Sequence, residues 1–140
     1  MATKHAKTLD DLMFARLMIE VSKGDHSLRD QVMLLLSYKA GLRAQEIAGL
    51  EWTDVTDAEG NVRNDTLFVP GDIAKKGRER TIPMNPHLYT ALLQLRMARP
   101  TSQHVSYETK TKRQGKISPN AVTQWFGRLY EKFGFEGCSS

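Results

Sequence analysis

Residues 39–55 read KAGLRAQEIAGLEWTDV, and an apolar run (residues 32–36) leads into them. Gly41 can adopt the left-handed conformation that ends a helix, so a helix end is predicted at that residue. Arg43 follows at the break, and a second short helix is predicted to start at once. Glu46 lies in its first turn, where the helix dipole favours a carboxylate. The stretch therefore predicts a guanidinium at a helix–helix corner beside a carboxylate that can orient it, which suits phosphate binding.

Two other interpretations of this stretch stay open. Arg43 and Glu46 could form an ordinary surface ion pair near a helix start. A glycine turn followed by Gln-Glu-Ile-Ala is also typical of a helix-turn-helix. That interpretation requires a recognition helix next. Residues 54–69 are instead acidic, rich in turn formers and then strand-like, which argues against it.

Composition indicates a single domain with a polyanionic partner. The chain has 140 residues, a net charge of +4 and a pI near 9.3. The length favours one core, and the charge favours a weak preference for nucleic acid.

Cys138 is the single cysteine, so an internal disulfide is excluded. No apolar run reaches membrane-span length and no signal peptide is evident, so a cytoplasmic protein is expected. His87 and His104 lack further ligands at metal-binding spacing, so no metal site is predicted.

Upstream of residues 39–55 the apolar spacing predicts two helices. Thr8 with Asp11 forms a variant of the capping box, and apolar residues at helical spacing follow. Ser27 is predicted to cap the second helix, which is apolar nearly all round and therefore central in the core. His26 and Arg29 form a His-x-x-Arg sequence, which we interpret as structural because it lies at a helix start ahead of the apolar run.

Downstream, the pattern changes to that of a small antiparallel sheet. Residues 66–69 and 80–84 are predicted strands, and residues 71–74 are predicted to continue extended. A tight basic connection follows, with glycine at a position suited to positive φ. Such a tip could simply be solvated. Alternatively, it could enter a nucleic-acid groove or supply a proton donor to a phosphate. Its candidate residues are Lys75, Lys76, Arg78 and Arg80.

Two further helices are predicted from Asn85-Pro86 and Ser118-Pro119, each a cap residue followed by proline. Between them, residues 101–117 are polar and basic. They are interpreted as a surface loop or as a segment that follows phosphates and becomes ordered on DNA. Tyr130 lies on the buried stripe of the last helix and is predicted to be core. The DNA-binding candidates of this part are Lys110, Lys112, Arg113, Lys116, Asn120, Gln124 and Arg128.

The order of these parts resembles the catalytic domain of the tyrosine recombinases, the phage-integrase family. The features that carry it are Gly-Leu-Arg-x-x-Glu-Ile-x-x-Leu-x-Trp-x-Asp-Val (residues 41–55), the basic hairpin with Arg-Thr-Ile-Pro, and Ser-Pro-Asn…Trp-Phe. The resemblance implies an α+β, mostly helical fold with a three-stranded antiparallel sheet. It also implies cleavage and rejoining of double-stranded DNA through a 3′-phosphotyrosine, without a metal or other cofactor, and other recombinase subunits as partners.

By this resemblance, Arg43 matches the first catalytic arginine, which binds the scissile phosphate, and Glu46 matches the acidic residue that supports it. Lys75 matches the hairpin lysine that donates a proton to the leaving 5′-oxygen. Lys76 takes that role if the hairpin register differs by one residue. These roles are chemically consistent, because a pentacoordinate phosphorus needs guanidinium donors and the departing oxygen needs an acid.

The family continues with a His-x-x-Arg box and a tyrosine nucleophile, and neither occurs at the matching place in these 140 residues. We therefore expect one partial catalytic domain (residues 1–140), without the separate amino-terminal DNA-clamping domain, that binds DNA without cutting it. Two alternatives remain. The chain could be a stand-alone DNA-binding or regulatory protein derived from an integrase, or a structural remnant that only associates with recombinase subunits.

Overall fold

A computed structural model describes residues 10–111 and 115–134 of the chain. These ranges contain five α-helices and two β-strands, and the predicted α+β, mostly helical class with a small antiparallel sheet is confirmed. None of the described helices has the length and apolar character needed to span a bilayer. The elements are α1 (Asp11–Val21), α2 (Ser27–Tyr38), α3 (Ala44–Gly49), β1 (Thr66–Val69), β2 (Arg80–Pro83), α4 (Pro86–Ala98) and α5 (Pro119–Lys132).

The two helix starts predicted from cap-proline pairs are confirmed. Asn85 Oδ1 accepts the amides of His87 and Leu88 at 2.9 and 3.2 Å. Ser118 Oγ accepts the amide of Ala121 at 3.0 Å. In both helices proline fills the first helical position, where no intrahelical amide bond is needed.

The cap predicted at Ser27 is wrong. Ser27 is the first helical residue of α2 instead of its cap, and the cap position is taken by His26, which forms no side-chain cap. Thr8 lies outside the described residues. Asp10 caps α1 through a 2.9 Å bond from the Met13 amide to Oδ1.

Helix α2 is the centre of the core, as predicted. Residues 32–36 are all buried, because α1, α3 and α4 pack around this helix. Leu17 of α1 and Leu92 of α4 are fully buried against it. Helix α5 packs on α3 and contributes Phe126 and Tyr130 to the same core. The short helix α3 is thus covered by larger helices and has a fixed position.

The described sheet has two strands, so the prediction of three is wrong. β1 pairs antiparallel with β2, in a register that runs from Thr66 opposite Pro83 to Val69 opposite Arg80. Residues 71–74 form a turn, because the Pro70 carbonyl accepts the amides at residues 73 and 74. These residues pair with neither strand, and the Ile73 carbonyl accepts Gln45 Nε2 of α3 instead, so the segment adds no strand to the described sheet.

The sequence argument against a helix-turn-helix is confirmed. After α3 the chain forms a 3-10 turn (Trp52–Asp54) and then a single bridge between Thr56 and Val62, so no recognition helix follows α3 in this described segment. Instead, the carbonyl of Leu50 accepts the amide of Val105, which ties this segment to the chain between α4 and α5.

Arg29 of the His-x-x-Arg sequence is a structural residue, as interpreted from its position. Its side chain is 4% exposed and pairs with Asp30 at 2.7 Å. Nη1 donates to the carbonyl of Tyr107 at 2.8 Å, and the guanidinium carbon lies 5.8 Å from the Trp125 ring centre. One buried guanidinium therefore joins α2, the chain before α5, and α5 itself.

We predict that Arg29→Ala lowers the free energy of unfolding by about 3 kcal/mol, because it leaves the largely buried Asp30 carboxylate without its cation. Denaturant unfolding at neutral pH measures this change. Arg63→Ala is the matched control, because Arg63 pairs with Asp65 in solvent and should cost at most about 1 kcal/mol. Equal effects of the two substitutions would contradict the structural role of Arg29.

Candidate active site

The corner between α2 and α3 presents Arg43 to solvent. Gly41 has φ +71°, as predicted for a residue that ends a helix in the left-handed region. Leu42 is buried and anchors the corner. Arg43 has extended backbone angles at the N-cap of α3, and its side chain is exposed. The corner therefore fixes the backbone of Arg43 while leaving its guanidinium accessible.

Glu46 lies beneath this corner and is completely buried. Its Oε1 accepts the backbone amide of Arg43 at 2.9 Å. Its ion-pair partner is Arg80 of β2, so the predicted side-chain pairing of Arg43 with Glu46, whether as an orienting carboxylate or as a surface ion pair, is not found. Glu46 acts on the backbone of Arg43 and leaves its guanidinium free to bind another group.

The pairing of Arg80 with Glu46 is bidentate. Nη1 donates to Oε2 at 2.7 Å and Nη2 donates to Oε1 at 2.9 Å. The Arg80 side chain is 39% exposed, so one face of its guanidinium still lines the open cleft above. Sequence reasoning assigned Arg80 to DNA binding and missed this pair, because the two residues are 34 positions apart and no local spacing connects them.

The loop between β1 and β2 is docked on α3. The Ile73 side chain occupies the space where a Cβ on Gly49 would stand, and the Ile73 carbonyl accepts Gln45 Nε2 at 2.8 Å. The amide of Lys75 donates to Glu46 Oε2 at 3.4 Å. These contacts bring the tip of the loop beside Arg43, as the resemblance to the recombinases implies.

Two consecutive residues at the tip have positive φ. The prediction for a glycine is confirmed by Gly77 at φ +68°. Lys76 also adopts φ +59°, which is uncommon for a residue with a Cβ. The tip therefore turns sharply enough to present its basic side chains to the same cleft.

An open cleft of about 780 Å³ lies between the α2–α3 corner and this loop. No described residue forms an ion pair with the head groups of Arg43, Lys75, Lys76 or Arg78. Such unpaired cations can bind the oxygens of a phosphodiester. The charged residues that line the cleft are Arg43, Lys75, Lys76, Arg78, Glu79 and Arg80.

The charge beneath the cleft is fixed over the physiological pH range. Hydrogen bonds from Arg80 lower the pKa of the Glu46 carboxyl to about 2, and the amides of Arg43 and Lys75 act in the same direction while burial opposes them. The same pairing raises the pKa of Arg80. Glu46 is therefore an anion whose charge is balanced by Arg80, and the remaining cations give the cleft a positive charge.

The predicted DNA-binding residues of α5 lie on one exposed face of the helix. Asn120, Gln124 and Arg128 are all exposed and lie at the four-residue spacing that aligns side chains on a helix. Tyr130 is 3% exposed and lies on the opposite, packed side, which confirms it as core. This face can therefore contact a partner along about two turns of helix.

The basic segment before α5 adjoins this helix. Lys110 and Lys116 are exposed and line a second cavity, of about 310 Å³, together with Arg128 and the half-buried Trp125. A bridge between residues 107 and 116 closes the base of the segment. None of these residues lines the Arg43 cleft. The predicted contacts Lys112 and Arg113 lie outside the described residues.

Each of the four tyrosines has a position or contact that disfavours its use as a nucleophile. Tyr107 and Tyr130 are buried. The Tyr38 hydroxyl donates to the carboxylate of Asp11, and this bond raises the pKa of Tyr38 to about 12. Tyr89 is half-buried on α4 and does not line the Arg43 cleft.

This architecture and this sequence are those of a known family. A model of the phage integrase family matches residues 7–139. The chain belongs to the phage integrase family. The tyrosine recombinase XerA of Pyrococcus horikoshii is 35% identical over 115 residues, which are 81% of this chain and 36% of XerA. The chain thus spans about a third of that relative's length.

Solved structures of the family share the fold. A XerA recombinase structure has a TM-score of 0.68 and 18% identity, with 100% of this chain and 47% of that one covered. A lambda integrase dimer bound to a COC′ core site has a TM-score of 0.69 and 16% identity, with coverages of 99% and 38%. The family resemblance inferred from residues 41–55, the basic hairpin and the Ser-Pro helix start is therefore confirmed.

We predict that Glu46→Gln destabilises the folded chain in a pH-dependent way. The carboxyl pKa is lower in the folded state, so its stabilisation is complete above the unfolded value near 4.5 and is lost as pH falls toward 2. The difference in unfolding free energy between wild type and variant should be on the order of 3 kcal/mol at pH 7 and shrink below pH 4.5.

Denaturant unfolding at pH 7, 4 and 3 measures this difference. Asp65→Asn is the control, because it removes an exposed carboxylate paired with Arg63, for which solvent screening keeps the effect small. A Glu46→Gln difference that stays constant from pH 7 to pH 3 would contradict the role assigned to the buried carboxylate.

Proposed function

We propose that this chain is the DNA-binding, amino-terminal part of the catalytic domain of a site-specific tyrosine recombinase. The activity of the whole enzyme would be cleavage and rejoining of DNA strands through a 3′-phosphotyrosine. The observation that carries this proposal is the cleft that Arg43 and Lys75 both line, with Glu46 bonded to the backbone amides of both. A DNA-acting protein of this kind would work in the cytoplasm, at the nucleoid.

The chemistry of strand cleavage fits the cleft residues in separate roles. Arg43 would bind the non-bridging oxygens of the scissile phosphate, since its guanidinium is exposed and no described residue pairs with it. Lys75 would give a proton to the leaving 5′-oxygen, and Lys76 is the alternative donor at the same tip. Glu46 would keep the two groups in place and would not touch the DNA, because it is buried.

A second surface would hold the flanking duplex. The exposed face of α5, with Asn120, Gln124 and Arg128, has the size and polarity of a helix that contacts a DNA groove. Lys110 and Lys116 are close enough to Arg128 to line one cavity with it, so the three cations can follow a phosphate backbone together. Lys112 and Arg113 extend the same basic run in sequence.

We also propose that the 140-residue chain binds DNA without turnover. No His-x-x-Arg sequence follows Arg43 in it, and the contacts of Tyr38, Tyr107 and Tyr130 disfavour nucleophilic attack. The lambda integrase structure, a dimer on DNA, supports the further proposal that other recombinase subunits are partners.

We predict that binding to duplex DNA weakens steeply with salt and that Lys110, Lys112, Arg113 and Lys116 carry part of that dependence. Replacing all four by alanine should reduce the slope of log K against log salt by up to about 3.6, at roughly 0.9 for each phosphate that is no longer neutralised. Fluorescence anisotropy with a labelled duplex at several salt concentrations measures the slope.

The control for this experiment is Lys23→Ala combined with Arg63→Ala, since both cations pair with carboxylates two or three residues away in the sequence. It should leave the slope unchanged. If the fourfold variant also leaves the slope unchanged, the DNA contact lies elsewhere. If the wild type binds no DNA but alters the assembly of an intact family member, the chain is an association module and the DNA-binding proposal fails.

We further predict that the chain forms no covalent adduct with DNA. The test incubates it with nicked suicide duplexes of randomised core sequence, because the target site is unknown, and separates the products by denaturing gel electrophoresis. An intact recombinase with its own suicide substrate serves as the positive control. A slower-migrating protein–DNA band from the 140-residue chain would overturn the proposal that it acts without turnover.

A further inference from the structure

The carboxylate of Glu46 receives four N–H donors in a paired arrangement. Oε1 accepts Arg80 Nη2 and the amide of Arg43, both at 2.9 Å. Oε2 accepts Arg80 Nη1 at 2.7 Å and the amide of Lys75 at 3.4 Å. Each oxygen thus takes one guanidinium nitrogen and one backbone amide, and the two amides belong to the two segments that form the cleft.

We propose that Arg80 is a positioning residue. Its two hydrogen bonds to Glu46 fix the plane of the carboxylate, and the fixed carboxylate sets the distance between Arg43 and Lys75 through their backbone amides. This inference rests on the proposed function for its consequence, since these two side chains are the ones assigned to the scissile phosphate and the leaving oxygen. Arg80 would act through Glu46 and would not be a catalytic residue.

The geometry requires arginine at this position. A carboxylate held by one point charge can rotate about its Cγ–Cδ bond, and its oxygens would then miss one of the two amides. A planar fork of two parallel N–H groups removes that rotation. Lysine at residue 80 would keep the positive charge but could not form two parallel hydrogen bonds. Substitution of Arg80 by lysine therefore tests the geometry of the contact separately from its charge.

The experiment compares Arg80→Lys and Arg80→Met with Arg78→Met in the free 140-residue chain, by amide NMR spectra at neutral pH. Arg78 lines the same cleft but bonds to no described carboxylate, so its substitution is a matched loss of charge. The expected result is that the amide signals of Arg43 and Lys75 both move in the two Arg80 variants and not in Arg78→Met. Unfolding curves check that each variant is folded.

The outcomes are distinct. If both amide signals keep their positions in Arg80→Lys, or if they move equally in Arg78→Met, the proposal is overturned. If the Arg80 variants do not fold, the wild type is titrated with acid: the two amides should move with the same midpoint as the Glu46 carboxyl carbon. Separate midpoints would overturn it.

A binding assay connects this arrangement to the proposed function. Arg80→Lys should weaken duplex DNA binding about fivefold or more, because it disturbs a two-point contact. Arg63→Lys should change binding by less than about twofold, because Arg63 pairs with Asp65 in solvent and does not line the cleft. Equal losses would count against positioning. If the wild type binds no DNA at all, the proposed function fails, while the NMR result on Arg43 and Lys75 still stands as a test of Arg80.

Discussion

A buried carboxylate must be compensated, and in this domain that requirement determines the shape of the cleft. Glu46 has no exposure to water and is balanced by one guanidinium and two backbone amides. If the β1–β2 loop moved away from α3, an anion would remain in the core without its cation, a change that typically costs several kcal/mol. The mutual position of Arg43 and Lys75 is therefore a consequence of charge burial, and the cleft cations need not contact each other.

The elements beneath the cleft pack in an order that keeps Glu46 buried. Helix α2 fills the centre of the core, α3 packs beneath the cleft between α2 and α5, and the loop after β1 packs on α3 through Ile73. Gly49 permits this approach, because a Cβ there would lie 2.5 Å from the Ile73 side chain. Repulsion among the exposed cations is opposed by these apolar and polar contacts below them.

Features encoded by neighbouring residues could be predicted from the sequence. Gly41, the Asn85 and Ser118 caps and the buried run of α2 each depend on conformational or apolar preferences within a few positions, and all appear in the structure. The third strand could not be excluded in this way. The turn after Pro70 is stabilised by its docking on α3, a contact that is distant in sequence.

In the candidate site, too, the features that depend on neighbouring residues could be predicted and those that depend on distant contacts could not. Arg43 and the basic tip are recognisable from local pattern and family resemblance. The partner of Glu46 is not, because a carboxylate at the third position of a helix has an obvious local role as a capping group, and that role is indeed present. The bond to Arg80 depends on the register of a hairpin 34 residues away, and register depends on the assembled fold.

The sequence distance between Glu46 and Arg80 has a consequence for how the domain folds. Helices α2 and α3 and the corner between them involve near neighbours, so they can form early, whereas the Glu46–Arg80 bond closes a long loop and must await the β1–β2 hairpin. During synthesis, a nascent chain that has not yet exposed residue 80 would carry Arg43 but no organised cleft. The organised cleft would then appear only after the β1–β2 hairpin has formed.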